Sequence, residues 1–219
     1  MNILVIGTGA VGSFYGSLLA RQGADVSVMA RSDYSFIREQ GIDVHSETAL
    51  GDYHFHPVAV LKPGEVPLNQ PDYVLLCTKV VEGADRVGLL RSVVGSETRI
   101  VLISNGVEIE AAIRQAYPQQ ALISGLAFVC VSRIAPGKSG ISPRADWFSV
   151  IFHPDSRRKP GLWRMFSGKA VSVVRRHPTS SRHVGKNVSG MRRLIPFPSC
   201  RADWIRPRCS KPANPSFGY

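Results

Sequence analysis

The first twelve residues join a short apolar run to a glycine pattern, and they constrain the fold more than any other segment. Residues 2–12 read NILVIGTGAVG, in which Gly7, Gly9 and Gly12 form the pattern G-x-G-x-x-G. A strand-like run precedes the pattern and a helix-like stretch, Val11–Arg21, follows it, which is the context that a dinucleotide-binding turn requires. The alternative interpretation is a glycine-rich βα turn that binds nothing.

Each glycine has a physical task in such a turn. Gly7 permits the tight turn, Gly9 lets the backbone approach a pyrophosphate, and Gly12 lets the helix pack closely on the strand. The helix N-terminus adds free N–H groups and the positive end of its dipole. The turn is therefore predicted to contact a dinucleotide through Gly7, Thr8, Gly9, Ala10, Val11 and Gly12.

Strand and helix signals alternate along the first 137 residues. Strand Asp25–Ala30 follows a C-cap glycine at Gly23, Ser32 is predicted to cap a helix that runs to about residue 40, and another helix is predicted over Val80–Val94. Short alternating strands are predicted within residues 41–60. The order predicts an α/β fold with a doubly wound parallel sheet, and a dinucleotide would lie beyond the carboxyl ends of its strands.

The charge is unevenly distributed along the chain. The whole chain carries a formal charge of +11, yet residues 1–137 hold 10 Lys and Arg against 13 Asp and Glu. Residues 138–219 hold 17 against 3, with 9 Pro and 12 Ser, and no helical or strand period persists there. Three interpretations stay open for this segment: a disordered basic tail, an arm that binds nucleic acid, or a stretch that is not natural coding sequence.

The sequence gives little support for a metal site, a disulfide scaffold or a membrane segment. The four cysteines are scattered without C-x-x-C spacing, which argues against a zinc site or a disulfide framework. His54 and His56 share a strand face, but no third ligand has suitable spacing, so no metal is predicted. The absence of a visible signal peptide and of a long apolar stretch predicts a cytoplasmic protein with no membrane partner.

Three polar residues follow predicted strands at one edge of the sheet. The second strand ends at Arg31, where no Asp or Glu can hold a ribose 2′-hydroxyl and where an arginine suits a 2′-phosphate. NADP(H) is therefore favoured over NAD(H), against a solvated surface arginine. Lys79 can meet the cofactor or be a surface lysine. Asn105, followed by Gly106, reads as an ordinary turn or as an amide that reaches the nicotinamide side or a substrate hydroxyl.

Residues 1–137 resemble the ketopantoate reductase (2-dehydropantoate 2-reductase) family. The resemblance implies an N-terminal NADP-binding domain of the Rossmann type and an NADPH-dependent reduction of a small 2-oxo acid. In this family that acid is ketopantoate, on the route to pantothenate and coenzyme A. A related reductase of another 2-oxo acid is a lesser alternative. The segments that carry the resemblance are Gly7–Gly12, Arg31-Ser32, Leu75–Lys79, Ser104–Val107 and Ile134–Gly137.

The resemblance also implies roles for single residues. Lys79 contacts the cofactor, Asn105 contacts the cofactor and the substrate, and the backbone near Cys130 lines the cofactor. The family's catalytic lysine and several substrate-binding asparagines lie in an all-helical domain that follows a Val-x-His strand. Residues 138–219 replace that domain with an irregular or disordered basic tail, so no catalytic residue is expected in frame.

The genetic code offers an explanation for the tail. Lys138-Ser-Gly-Ile-Ser142 can be encoded as AAG TCT GGC ATC AGC, and reading from the third base gives Val-Trp-His-Gln, which fits the expected Val-x-His strand. The same shift over Val184–Ile205 gives a run with the Asn-Pro-Leu of the family's lysine-and-asparagine helix. We therefore predict a frameshift near Gly137–Lys138, so that Lys186 and Asn187 come from the wrong frame and are not the family's functional groups.

These expectations describe the cofactor half of a reductase, residues 1–137, followed by an out-of-frame segment, residues 138–219. Such a chain is expected to bind NADP(H) weakly and to turn over little or no ketopantoate. The alternative is an NADP(H)-binding module with a basic arm that contacts nucleic acid, which a steep salt dependence of DNA binding would reveal. A small-molecule 2-oxo acid is the expected partner, nucleic acid is not, and the oligomeric state stays open.

Overall fold

The structure is a computed structural model, and all of the residues that it describes lie within the unit Met1–Ser181. No helix in this described part is both long and apolar enough to cross a lipid bilayer. The description covers residues 1–47, 51–104 and 109–141 and, by their backbone alone, residues 148–154 and 171–175.

Three α-helices, one short 3-10 helix and twelve strands form the described fold. The helices are α1 (Ala10–Arg21), α2 (Tyr34–Gln40) and α3 (Ala111–Ala116), and the 3-10 helix is Gly88–Leu90. The first six strands are β1 (Asn2–Ile6), β2 (Asp25–Met29), β3 (Ile42–Ser46), β4 (Tyr53–Phe55), β5 (Val60–Leu61) and β6 (Tyr73–Leu76). The others are β7 (Arg99–Ile103), β8 (Leu122–Phe128), β9 (Val131–Ala135), β10 (Lys138–Ile141), β11 (Phe148–Pro154) and β12 (Val171–Arg175).

The larger sheet has the strand order β12-β11-β8-β7-β6-β1-β2-β5. Every neighbouring pair from β8 to β5 is parallel. The chain builds outward from β1 to β2 and β5 and then returns to β6 on the other side of β1. The strand order thus reverses between β1 and β6, which makes this the topological switch point where ligands bind in doubly wound sheets. The predicted fold class is confirmed.

Both faces of the large sheet are buried, as parallel sheets with covered faces require. Along β1, Ile3 and Val5 enter one core cluster while Leu4 and Ile6 enter the other, and all four are at most 1% exposed. This alternation explains why β1 is a continuous apolar run rather than an alternating one. The central strand is thus packed on both faces, and the glycine turn follows it directly.

A second sheet, with the order β4-β3-β10-β9, packs beside α1. Its apolar residues Ile42, Val44 and Phe55 belong to the same core cluster as Phe14 and Tyr15 of α1. The short strands predicted within residues 41–60 are thus present. This sheet covers the face of α1 turned away from the large sheet, which leaves the N-terminus of α1 at the strand edge.

Helix α1 ends as the sequence predicted, but the helix predicted over Val80–Val94 is wrong. Gly23 follows α1 in the left-handed conformation (φ 84°), and its N–H donates to the carbonyl of Ala20 at 2.9 Å. In the other region only the 3-10 helix forms. There Gly83 adopts φ 77°, and the Asp85 carboxylate accepts the Gly88 N–H at 2.6 Å. A glycine in this conformation and a side chain that captures a backbone donor both compete with helix propagation.

Helix α2 differs from the prediction at its start. The N-cap position is Asp33, and no side chain caps the helix there. The Ser32 hydroxyl donates instead to the Asp33 carboxylate at 2.9 Å. The helix nevertheless ends at Gln40, as predicted.

Regular structure continues past the predicted boundary at residue 137. Gly137 (φ 64°) forms the turn between β9 and β10. Strand β10 pairs antiparallel with β9 and parallel with β3. Strand β11 then adds to β8 in an antiparallel pair, and β12 adds to β11.

Candidate dinucleotide-binding site

The carboxyl ends of β1, β2 and β6 meet where the glycine turn begins. The Gly7 N–H donates to the Met29 carbonyl at 3.1 Å, and the Cys77 N–H donates to the Ile6 carbonyl at 2.9 Å. These hydrogen bonds lock the turn between the ends of both neighbouring strands. Arg31 and Lys79, each two residues beyond these contacts, therefore lie on either side of the turn.

The spacing of Gly7 and Gly12 is a packing requirement. Gly7 has φ 95°, a conformation that side chains other than glycine rarely adopt. A β-carbon on Gly12 would lie 1.9 Å from the Gly7 carbonyl oxygen, well inside van der Waals contact. Helix α1 can approach β1 this closely because both positions are glycine.

Gly9 is different, because a β-carbon there would meet no atom within 4 Å. It is the exposed N-cap of α1, with an extended backbone (φ −72°, ψ −175°). The first turn of α1 carries no acidic residue. The free space beside Gly9 and the N–H groups of Ala10 and Val11 therefore form a cradle of the kind that receives a pyrophosphate. The residues present fit a dinucleotide at this point.

Arg31 is exposed and makes no hydrogen bond or ion pair within the described part of the chain. The nearest carboxylate along the sequence, Asp33, is only 4% exposed and is already engaged. It accepts from Arg133 Nη2 at 2.5 Å and from the Gly137 N–H at 3.3 Å. Asp33 is therefore unsuited to accept from a ribose 2′-hydroxyl, whereas the Arg31 guanidinium is free for an anion.

Lys79 is exposed directly after Cys77 and Thr78. The Ser104 hydroxyl donates to the Thr78 carbonyl at 3.1 Å and so ties the end of β7 to the end of β6. Asn105, the next residue, lies outside the described residues. Lys79 is thus held on the same edge as the glycine turn, as the sequence predicted.

Cys130 lies on the connection between β8 and β9, and its side chain is exposed. Strand β8 pairs with β7 as far as Gly125, so Cys130 is five residues beyond the last pair at the same edge. The two other predicted turn residues, Thr8 and Val11, are partly exposed beside the cradle.

Thr78 is a site residue that the sequence did not single out. A β-carbon on Gly7 would lie 3.1 Å from Thr78 Cγ2 and 3.2 Å from its backbone nitrogen, so Thr78 forms the wall of the turn. Its Oγ1 is buried and has no hydrogen-bond partner. A hydroxyl in that state is a candidate for contact with a bound ligand. Its position directly before Lys79 was the available signal.

Three other side chains that could carry chemistry, Cys77, His45 and His54, are partly buried or paired. Burial raises the pKa of the Cys77 thiol to about 12, which removes its thiolate at neutral pH. On the second sheet, His54 Nδ1 contacts Asp43 at 2.6 Å and His45 Nδ1 contacts Asp52 at 3.2 Å. No group of three His, Cys, Asp or Glu side chains that could hold a metal is found among the described residues.

The family model for ketopantoate reductase PanE/ApbA matches residues 3–146. The chain belongs to the ketopantoate reductase family. The match extends nine residues past Gly137 and leaves residues 147–219 outside it. The motif-based resemblance is confirmed over the whole of the glycine turn and the strand edge.

Individual ketopantoate reductases show the same relationship. A 2-dehydropantoate 2-reductase from Nostoc sp. (strain PCC 7120) is 30% identical over 133 residues, which are 61% of this chain and 41% of that protein. The crystal structure of 2-dehydropantoate 2-reductase from Methylococcus capsulatus has 51% sequence identity and a TM-score of 0.66, and it covers 71% of this chain and 49% of the other. The corresponding structure from Geobacter metallireducens GS-15 has 30% identity and a TM-score of 0.68, and it covers 80% of this chain and 58% of the other.

This ketopantoate reductase family member therefore matches its relatives over only part of their length. The chain spans less than half of the Nostoc protein. The matched part contains the glycine turn, Arg31 and Lys79, which form the edge described above.

Proposed function

We propose that this chain is the cofactor half of a ketopantoate reductase and binds NADP(H) at the edge formed by Gly7–Gly12, Arg31 and Lys79. The observation that carries the proposal is the contrast between the two glycines of the turn. Gly12 is sterically required by the fold, whereas Gly9 leaves open space beside the N-terminus of α1. A glycine that the fold itself does not need is typical of a position that a ligand approaches.

Each residue has a separate task in this proposal. The N–H groups at the start of α1 donate to the pyrophosphate, and Gly9 keeps the approach open. Arg31 pairs with the 2′-phosphate, which its planar guanidinium can bind in a bidentate manner. Lys79 supplies a second positive charge across the turn, and the family resemblance assigns cofactor contacts to the backbone near Cys130 and to the amide of Asn105.

The proposed reaction of the complete family fold is the reduction of 2-dehydropantoate. Bound NADPH supplies the hydride that reduces the 2-oxo group. This chain contributes binding and orientation of the cofactor, and Asn105 is proposed to contact the substrate. We assign no catalytic residue to the 219 residues, because the family's catalytic lysine belongs by resemblance to a helical domain that residues 138–219 do not match.

Little or no turnover is therefore expected. The purified chain should not oxidise NADPH measurably faster when 2-dehydropantoate is added. A turnover number like that of a complete family enzyme would refute the assignment of this chain as a cofactor half alone.

The proposal includes the origin of residues 138–219. The net charge changes from −3 to +14 across Gly137, and the family match ends at residue 146. We attribute the change in charge to a shift of reading frame near codon 137. Sequencing the DNA there tests this directly: restoring one base should open a frame that encodes Val-x-His and then a helical domain. If no such frame exists, the shift is refuted.

Arg31 offers a sharp test of cofactor preference. The chain and its Arg31→Ala variant should be titrated with NADP⁺ and NAD⁺ at fixed ionic strength. The variant should lose roughly tenfold or more in NADP⁺ affinity, the equivalent of one charge-assisted hydrogen bond, and little in NAD⁺ affinity. Arg99→Ala removes the same charge at the opposite end of the sheet, at the start of β7, and serves as the control. Equal losses for both cofactors would contradict the role of Arg31.

A further inference from the structure

A second basic residue, Lys62, directly follows β5, the strand that pairs with β2. Strands β2 and β5 pair in parallel with Met29 opposite Leu61. The Ala30 N–H donates to the Leu61 carbonyl at 2.9 Å. Lys62 therefore leaves the sheet at the same edge as Arg31. It lies opposite Ala30, the residue before Arg31. The sequence offered no reason to single it out, because β5 is only two residues long.

The Lys62 side chain is directed toward the start of α2. Its Nζ lies 4.8 Å from the centroid of the Tyr34 ring, and Tyr34 is three residues after Arg31. On the same ring, the Arg38 guanidinium carbon lies 5.6 Å from the centroid, and Arg38 Nη1 donates to the Tyr34 hydroxyl at 3.4 Å. Contact with an aromatic ring restrains a flexible ammonium without neutralising it. Two cations thus contact the Tyr34 ring, which begins α2 three residues after Arg31.

The two nearby carboxylates, Asp33 and Glu65, make contacts other than ion pairs with Lys62 or Arg31. Asp33 is buried and paired with Arg133. Glu65 uses its carboxylate to accept the backbone N–H of Lys62 at 2.8 Å, which caps the turn after β5. In the described part of the chain, neither Lys62 nor Arg31 forms an ion pair. Exposed cations without partners at one sheet edge favour an anion of more than one charge.

We propose that Lys62 is a specificity-determining residue that binds the 2′-phosphate of NADP(H) together with Arg31. This inference rests on the proposed function. A phosphate monoester carries close to two negative charges at neutral pH, more than one guanidinium balances. The pyrophosphate has its own donors at α1, so the cation beyond β5 is available for the monoester. Tyr34 acts as a positioning residue that holds the Lys62 ammonium beside the end of β2.

The test compares the full chain with Lys62→Met, Lys62→Arg and Lys138→Met. Each is titrated with NADP⁺ and NAD⁺ at low and at physiological ionic strength. Lys138 is a matched control, because it is a half-exposed lysine on the second sheet, 3.8 Å from Asp43. Lys62→Met should weaken NADP⁺ binding about fivefold at low salt and leave NAD⁺ binding within about twofold. Lys62→Arg should restore the preference, and Lys138→Met should change neither affinity.

The outcomes separate this inference from the proposed function. If the unmodified chain prefers NADP⁺ and Lys62→Met retains that preference, the role of Lys62 is refuted and the proposed function stands. If Lys62→Met weakens both cofactors equally, Lys62 supports the fold and does not read the 2′-phosphate. If the unmodified chain binds neither cofactor, the proposed function is refuted and this inference with it.

Discussion

The buried carboxylate of Asp33 lies 2.5 Å from the guanidinium of Arg133, a residue 100 positions further along the chain. The same carboxylate accepts the Gly137 N–H at 3.3 Å. This pair joins the start of α2, directly after Arg31, to the hairpin of β9 and β10. The hairpin of β9 and β10 contains the last of the family motifs, Ile134–Gly137. It is thereby attached to the edge that we assign to the 2′-phosphate.

The two members of this pair should not be equivalent in mutagenesis. Arg133→Met leaves a carboxylate that is 4% exposed without its cation, whereas Asp33→Asn leaves an arginine that is 44% exposed and stays hydrated. We expect Arg133→Met to lower the free energy of unfolding by roughly 1–3 kcal/mol and Asp33→Asn by less. Urea denaturation of the full chain measures both.

The double variant Asp33→Asn/Arg133→Met provides the control for that pair. It should lose less stability than the sum of the two single losses, because the unpaired buried charge is gone. Strict additivity would show that the two side chains do not interact in solution.

Two alanine variants should separate folding from cofactor binding in the glycine turn. Gly12→Ala places a β-carbon 1.9 Å from the Gly7 carbonyl oxygen. We expect it to cost about 3 kcal/mol or more of stability, since backbone must move. Gly9→Ala meets no atom within 4 Å and keeps an ordinary φ of −72°. It should cost about 1 kcal/mol or less yet weaken NADPH binding at least roughly tenfold. Thermal denaturation and NADPH fluorescence titration measure the two properties.

The reverse pattern would contradict this account of the turn. If Gly9→Ala destabilises the chain as much as Gly12→Ala, or if it leaves NADPH affinity unchanged, the space beside Gly9 does not receive the cofactor.

The two cysteines in the described part should differ in reactivity. Burial raises the pKa of the Cys77 thiol to about 12, whereas Cys130 is exposed. In a Cys200→Ser/Cys209→Ser background at pH 8, a disulfide reagent should modify Cys130 at least roughly tenfold faster than Cys77. Mass spectrometry of the labelled peptides distinguishes them, and equal rates in the folded chain would contradict the burial of Cys77.

Cys77 also predicts a pH dependence of stability. Because the folded-state pKa is raised, the neutral thiol favours the folded state fully below the unfolded-state pKa of about 8.5. That contribution is lost as the pH rises from about 8.5 to the folded-state pKa of about 12. The free energy of unfolding should therefore fall more between pH 8 and pH 10.5 for the unmodified chain than for Cys77→Ala. An identical fall for both would exclude this contribution.

The local features of the fold were predictable from the sequence because they depend on neighbouring residues. The apolar run before Gly7 predicts strand β1, and the position of Gly23 predicts the end of helix α1. The helix predicted over Val80–Val94 was wrong because the side chain of Asp85 and the conformation of Gly83 outweigh the apolar pattern there. Apolar periodicity alone does not include this competition.

The long-range features were not predictable from one sequence. The contact between Asp33 and Arg133 and the parallel pairing of β10 with β3 depend on the folded topology. The same holds for Lys62, which reaches the site edge because β5 pairs with β2. The sequence places Thr78 directly before Lys79, but its role as the wall of the turn depends on the contact with Gly7 in the folded chain.

Isothermal titration calorimetry of the 219-residue chain with NADPH and with NADH tests the central claim most directly. We predict one saturable site for NADPH, with NADH bound at least roughly tenfold more weakly at the same ionic strength. Gly9→Ala should weaken NADPH binding at least roughly tenfold and cost about 1 kcal/mol or less of stability. An absence of NADPH binding to the folded chain, or equal affinity for the two cofactors, would contradict the assignment of an NADP(H) site.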